Sequence, residues 1–489
     1  MIKQIFIILS LVISLYGFAG DVGSKMRQVT IIQTTDIHSH LLPDAESPGW
    51  LALATTVRKK IEDAGGKDSC LLIDCGDTIQ GSISATLSGG MAGIIMLNSL
   101  GYDAWIPGNH ETDFGFKRFV ELAKDFKGDI ISLNLSTGKT VPGKIYTRNG
   151  LKIAVVGITY SYMDSNPSPA ELFEKAAGEI TAMKPDIFIL AIHNGLSFRK
   201  DNDNLDPASI ARTYPQIDLV LGGHTHVENP GEKIGSSSWF VQSGEHAQCF
   251  AEITVIFNEK ERKVGKITSN LVFPEKDTKP DAKCLAGVSE WIKMEKAYSK
   301  KKIGTLKQPI NSDLENPASP LNVLFCKALA TEFPATDAVL TSAMSPEKSL
   351  DQVITGQDLF DLAPYEDTVC IMKVTGREIR KIMQEQKKHK TNSEKLLFKW
   401  NPNLPDPPGE KTAKEVPESK KTEGENSSDL LDSGKLDDNN VYIVALSSYA
   451  ASGCGFRFKI LRKIAKSQKA ELKDTGTCVR DALEKYLKK

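Results

Sequence analysis

Six of the chain's eight histidines lie in or beside five short motifs that also carry carboxylate, amide and glycine residues. In chain order these are Thr35-Asp36-Ile37-His38, Gly76-Asp77-Thr78, Gly108-Asn109-His110-Glu111-Thr112-Asp113, His193-Asn194 and Gly222-Gly223-His224-Thr225-His226. Imidazole, carboxylate and amide oxygen are the donors that Mn²⁺, Zn²⁺ or Fe take. Two cations held about 3.5–4 Å apart need a shared carboxylate, two donor sets and an open edge for water and a substrate oxygen. The five motifs supply that set, so metal-assisted hydrolysis is the chemistry to expect. On a strand, side chains at i and i+2 point the same way, so Asp36 and His38 are expected to grip one ion, and His224 with His226 likewise, where strand geometry persists. Gly76, Gly108, Gly222 and Gly223 would let the backbone approach where a Cβ would collide. His40, beside His38, reads as a residue behind the donors or at the rim and not as a donor; His246 and His389 carry no motif and read as surface or loop.

The motifs follow short apolar runs that would have to deliver them to one place. Between Val29 and Val272, β-branched runs alternate with amphipathic stretches, the pattern of βαβ units with buried sheets. Strands are expected at 29–33, 70–74, 151–159, 186–192, 218–223, 239–242, 251–257 and 266–273. Residues 276–306 read as a Pro-containing loop followed by a linking helix. From 307 to 489 a second unit is expected, with helices over NVLFCKALATEF and GREIRKIMQEQKK and strands over DAVLTSA and NVYIVALSS. Within it, 401–440 holds five prolines, ten acidic and five basic residues and no aromatic, and reads as a flexible polar insertion.

Four hundred and eighty-nine residues is about three times a typical ~150-residue domain, which predicts more than one. With 61 Lys plus Arg against 62 Asp plus Glu, there is no basic field for a nucleic-acid backbone. A hydrophobic fraction of 40% and a charged fraction of 25% exclude a disordered chain and a polytopic membrane protein. Lys3, the apolar run Ile5–Phe18 and the small residues Gly17 and Ala19 form a signal-peptide pattern over 1–19, too short to span a bilayer. An exported protein, periplasmic or extracellular, with no span in the mature chain is the expectation. The eight cysteines, none in CxxC spacing, could pair as disulfides there. Cys70 and Cys75 flank one strand about 16 Å apart and cannot pair with each other.

Taken together, the five motifs in this order resemble the calcineurin-like metallophosphoesterases, and the layout of the whole chain resembles the 5′-nucleotidase family, bifunctional UDP-sugar hydrolase/5′-nucleotidase type. The resemblance implies an N-terminal four-layer α/β/β/α sandwich (25–275) and a C-terminal α+β substrate-binding domain (307–489) that rotates about the helix near 284–300. It implies two divalent ions, Zn, Mn or similar. Asp36, His38, Asp77 and His226 would hold one; Asp77, Asn109, His193 and His224 would hold the other, with Asp77 bridging. His226 stands where many nucleotidases have Gln. His110 and Asp113 match the family's catalytic dyad, with the imidazole stabilising the transition state or protonating the leaving oxygen while metal-activated water attacks phosphorus. Tyr365 and Tyr449 match the aromatic pair that sandwiches the base. The family's arginines are not matched: Asn316 stands near one, and Lys348 is the only cation near another, while Cys454 falls near an Asp that contacts the base. The implied partner is a small phosphoester, a 5′-nucleotide first. A cyclic nucleotide, a UDP-sugar, carrier-bound thiosulfate, or a non-catalytic exported binding role remain open.

Overall fold

The structure, a computed structural model, describes residues 26–159, 169–196, 206–313, 319–342, 344–388, 395–401, 436–455 and 457–489. The leader segment, Asn316, His389 and most of the 401–440 stretch lie outside these residues. Two sheets make the N-terminal part. The first has seven strands in the order Lys263–Val272, Phe250–Asn258, Met26–Thr34, Cys70–Asp74, Ala104–Trp105, Asp129–Ile131 and Thr140–Val141. The second has six, in the order Glu228–Ile234, Ser238–Ser243, Leu219–Leu221, Ile187–Ile192, Leu151–Ile158 and Gly143–Arg148. All eight strands expected between Val29 and Phe273 are present. Ala104–Trp105, Asp129–Ile131 and Thr140–Val141 are too short to carry a periodicity, and Gly143–Arg148 and Glu228–Ile234 are too polar.

The two sheets press together through Ile31, Leu71 and Ile73 on one side and Ile153, Val155, Ile189 and Leu219 on the other. Their outer faces are covered by helices. Trp50, Leu53 and Val57 of helix Trp50–Asp63 pack with Leu72, while Phe173 and Ala177 of helix Pro169–Ala182 pack with Phe188 and Leu190. The result is the four-layer α/β/β/α sandwich. Each fully buried aliphatic side chain contributes about 1.5–3 kcal/mol, which is why the central strands are apolar on both faces. Met26–Thr34, Cys70–Asp74 and Ala104–Trp105 run parallel, as do Ile187–Ile192 and Leu219–Leu221. Their carboxyl ends therefore open at one edge, where loops of parallel sheets build sites.

Helix Ala282–Ser299 joins the two halves. Asp281 caps it, accepting from Cys284 N at 2.9 Å, and Arg58 holds Asp281 at 2.7 Å, keeping its carboxyl down at about 2. Cys284, Val288 and Ile292 sink into the core under the first sheet. At the other end Tyr298 donates to Glu484 Oε2 at 3.3 Å, in the C-terminal helix Val479–Leu487. The C-terminal α+β part is a five-stranded sheet ordered Leu397–Trp400, Ala338–Thr341, Val441–Ser447, Thr368–Thr375 and Lys473–Cys478, with a core on each face. Two of its helices start with reciprocal capping boxes, Thr355 with Asp358 and Thr375 with Glu378.

All eight cysteines are free, which corrects the disulfide expectation. Six of them are spread as small apolar side chains over four cores: Cys70 and Cys284 in one, Cys75 in a second, Cys326 in a third, Cys370 and Cys454 in a fourth.

Candidate active site

The loops leaving that strand edge bring the histidine motifs together as two adjoining groups. Asp36, His38 and His226 form one, and Asp77, His193 and His224 the other; within each, the candidate ligand atoms all lie within 4.8 Å of one another. Asp77 sits between them, with Oδ2 3.0 Å from His193 Nε2 and 4.0 Å from His38 Nε2. His38 Nε2 and His226 Nε2 face each other at 3.3 Å, and the Oδ1 atom of Asn109 is buried with no hydrogen-bond partner. Acceptor atoms turned toward one another, beside an orphaned amide oxygen, fit divalent cations and have little other use for so much buried polarity.

The way the side chains converge differs from the strand alternation expected for D-x-H. Strand geometry ends at Thr34, and Asp36, His38, Asp77, His224 and His226 take left-handed backbone conformations with φ between 49° and 70°. Tight left-handed turns aim these residues inward, and φ > 0 in non-glycine residues marks strain kept for function. One consequence is that His224 and His226 belong to different groups and do not grip a single ion between them. Gly108 meets the glycine expectation: a Cβ there would overlap Asp77 Oδ1 and crowd His193 Cε1.

Second contacts decide which ring nitrogen each histidine presents. His193 Nδ1 meets Cys75 O at 2.6 Å and His38 Nδ1 meets Gln80 O at 3.2 Å, leaving Nε2 toward the centre. His226 Nδ1 contacts Glu245. His246, read from sequence as surface or loop, is on a loop but packs into the site. Its N–H donates to Asp36 O at 2.8 Å, its ring stacks on His40 at 3.9 Å, and it lies 5.6 Å from the His38 ring. His40 belongs to neither donor group.

Burial pushes the Asp36 carboxyl up to about 6 and the His224 imidazole down to about 3. Burial works against charge on His193 and on Asp77 too, but the groups around them together outweigh it: Asp77 and Asp36 raise His193 to about 10, and His193, His110 and His38 hold Asp77 well below the usual carboxylate range. A cation entering here competes with the His193 proton.

Glu111 is a residue the sequence reading passed over, although it stands inside the Gly108–Asp113 motif. Fully buried, its carboxylate accepts from the N–H groups of Asp77 at 2.9 Å, Thr78 at 2.7 Å, Ile79 at 3.3 Å and Gly108. It thus ties the loop carrying Asp77 to the loop carrying Asn109. His110 follows on the same turn. Its N–H donates to Asp77 Oδ1 at 2.8 Å, and its Nδ1 lies 2.7 Å from Asp113 Oδ2. Burial alone would depress the imidazole; Asp113 and Asp77 outweigh it and raise it to about 10.

A cleft of about 890 Å³ opens from His110 and Asp113 into the C-terminal half, where Tyr365 and Tyr449 both line it. The Tyr365 ring stacks on His110, 5.2 Å between centroids and 18° from parallel. Arg457 is the one Lys or Arg among the described lining residues, and its Nη2 donates to the Tyr449 hydroxyl at 3.2 Å. Lys348 is elsewhere, paired with Asp361 at 2.8 Å and Asp358 at 3.4 Å. The segment Ala363–Asp367 contacts both halves, and each of its five residues is tied to a neighbour. Ala363 O accepts from Arg480 and Pro364 O from Gln80 Nε2 at 2.8 Å. Tyr365 lies on His110, Glu366 accepts from Thr86 and contacts Arg480, and Asp367 accepts from Ser448 and Tyr449 N.

Comparison with known proteins matches both halves. Residues 29–228 match the calcineurin-like phosphoesterase domain and residues 302–463 the 5′-nucleotidase C-terminal domain. The chain is 22% identical over 418 residues to the snake venom 5′-nucleotidase of Naja atra, covering 73% of this chain and 77% of that one. It is 27% identical over 325 residues to the 5′-nucleotidase of Rattus norvegicus, 58% of this chain and 55% of that one. A 5′-nucleotidase precursor from Thermus thermophilus shares the fold, with a TM-score of 0.67 at 18% identity over 94% of this chain and 96% of that one. No helix among the described residues is long and apolar enough to cross a membrane. With both domains matched in order around this constellation, the chain belongs to the 5′-nucleotidase family of the calcineurin-like metallophosphoesterases, which are metal-dependent hydrolases.

Proposed function

We propose that the protein is an exported two-metal phosphomonoesterase that releases inorganic phosphate from 5′-nucleotides or closely related nucleotide phosphoesters. The observation that carries this reading is Asp77 Oδ2, set between the two donor groups at 3.0 Å from one histidine and 4.0 Å from another. Asp36, His38, Asp77 and His226 would hold one cation, and Asp77, Asn109, His193 and His224 the other. When bound, the two ions activate water and neutralise phosphoryl charge. His110 then holds a proton on Nε2, next to the cleft, and delivers it to the leaving oxygen; Asp113 fixes the ring through Nδ1. Tyr365 and Tyr449 offer π faces for a base, and Arg457 holds the Tyr449 hydroxyl and supplies the cleft's cation. Export rests on the N-terminal pattern of Lys3 and Ile5–Phe18.

One observation favours a second reading, the same hydrolase with a non-nucleotide ester. Lys348 is paired with two carboxylates, and the cleft lining carries Asp113, Glu366, Asp367 and Asp474 against a single arginine. The test is phosphate release from AMP, UDP-glucose, 2′,3′-cyclic AMP and p-nitrophenyl phosphate with Mn²⁺, Zn²⁺, Co²⁺ or EDTA, beside His110→Ala. A coupled phosphatase reports the diester and sugar-nucleotide products. Metal-dependent AMP turnover that is lost in the variant is the expected result. AMP at background with the generic ester hydrolysed would move the assignment to the second reading.

A further inference from the structure

Of the three candidate donor imidazoles whose Nδ1 contacts are described above, His38 and His193 lean on backbone carbonyls, at 3.2 Å and 2.6 Å. His226 differs in two ways. Its side chain is 34% exposed, against 5% for His38 and 0% for His193, so packing alone does not hold the ring. Its Nδ1 contacts the carboxylate of Glu245 in place of a carbonyl. A neutral imidazole has one N–H, and whichever nitrogen donates it leaves the lone pair on the other. An anionic acceptor at Nδ1 therefore directs the lone pair of Nε2 to the side where Asp36 Oδ1 lies at 3.5 Å and His38 Nε2 at 3.3 Å.

Glu245 is itself held in place. The next residue, His246, donates its N–H to Asp36 O at 2.8 Å, and its Nε2 lies 3.5 Å from the same Glu245 oxygen. The segment is thus pinned to the loop that carries two of the donors. We propose that Glu245 is a positioning residue: it fixes His226 with Nε2 inward and sets the affinity of the cation site formed by Asp36, His38 and His226. This rests on the two-cation reading of the site. Outer carboxylate partners of this kind are typically worth 10–100-fold in metal affinity.

Calorimetric titration of Mn²⁺ into the metal-free full-length chain tests it, with melting in EDTA reporting that each variant is folded. The wild type is expected to bind in two steps. Glu245→Ala is expected to weaken one step by about 10–100-fold and leave the other within twofold, with Glu245→Gln, which can still accept from Nδ1, falling between. His226→Ala should weaken the same step, and adding Glu245→Ala to it should weaken binding no further, because the carboxylate acts through that ring. Equal weakening of both steps, no change in either, or an additive double variant in chains that melt like the wild type would overturn the proposal. A wild type that binds no Mn²⁺ would instead remove the two-cation reading beneath it.

Discussion

Asp113→Asn separates the charge of the dyad from its shape. The Nδ1–Oδ2 contact is 2.7 Å, and the two side chains are 23% and 21% exposed, so the charge is neither fully screened nor fully dry. A hydrogen bond to a charged partner in that setting is worth about 1.5–3 kcal/mol. At about 1.4 kcal/mol per pH unit, losing it lowers the imidazole's titration by about 1–2 units. Asp77 adds to the upward shift in His110, but bound cations oppose that part, so the figure is worked from Asp113 alone. If His110 must carry a proton, activity falls as pH rises through its folded titration point. In the variant that fall begins at lower pH, while Asn Oδ1 still accepts from Nδ1 and keeps the ring in place. The assay is kcat for AMP from pH 6 to 10 at saturating Mn²⁺, with p-nitrophenyl phosphate beside it. That ester's leaving group needs little protonation, so its loss should be smaller. A variant profile that superimposes on the wild type, or whose fall moves to higher pH, would refute the proton-donor role.

Gly108→Ala places a methyl group onto Asp77 Oδ1; bound metal measured by atomic absorption should fall well below that of the wild type, with activity down by about two orders of magnitude or more. Glu111→Gln puts an amide where the structure needs a four-fold acceptor, and should destabilise the fold by about 2–4 kcal/mol in urea titration, including in EDTA. Arg457→Ala frees the Tyr449 hydroxyl; KM for AMP should rise about tenfold with kcat little changed, a pattern of lost ground-state binding. Unchanged KM would remove Arg457 from the substrate's path.

What can be read in advance follows from how narrowly each job restricts residue type. A cation accepts few donors, so Asp36, His38, Asp77, Asn109, His193, His224 and His226 are visible as motifs, and buried parallel strands such as Ile187–Ile192 are visible as apolar runs. Glu245, His246 and Arg457 do work that several residue types and many positions could supply, and no spacing marks them. The left-handed turns at Asp36 and His226 escape the strand rule because alternation describes a strand, and the chain has already left it, at Thr34 before the first and at Leu221 before the second. Ala104–Trp105, only two residues long, exists because Cys70–Asp74 and Asp129–Ile131 offer it partners on both sides.

The five consecutive ties of Ala363–Asp367 carry a consequence for how this family member can change. Every residue there has its own contact, two of them to Arg480, so substituting one side chain loosens only that side chain's ties, such as Thr86 and Arg480 on Glu366. Changing the segment's length by one residue would shift every later tie out of phase at once, pulling Tyr365 off His110 and Asp367 off Tyr449 together. Stepwise mutation can tune this segment residue by residue, but an insertion or deletion cannot enter it without uncoupling the ring that faces the chemistry from the ring that faces the cleft.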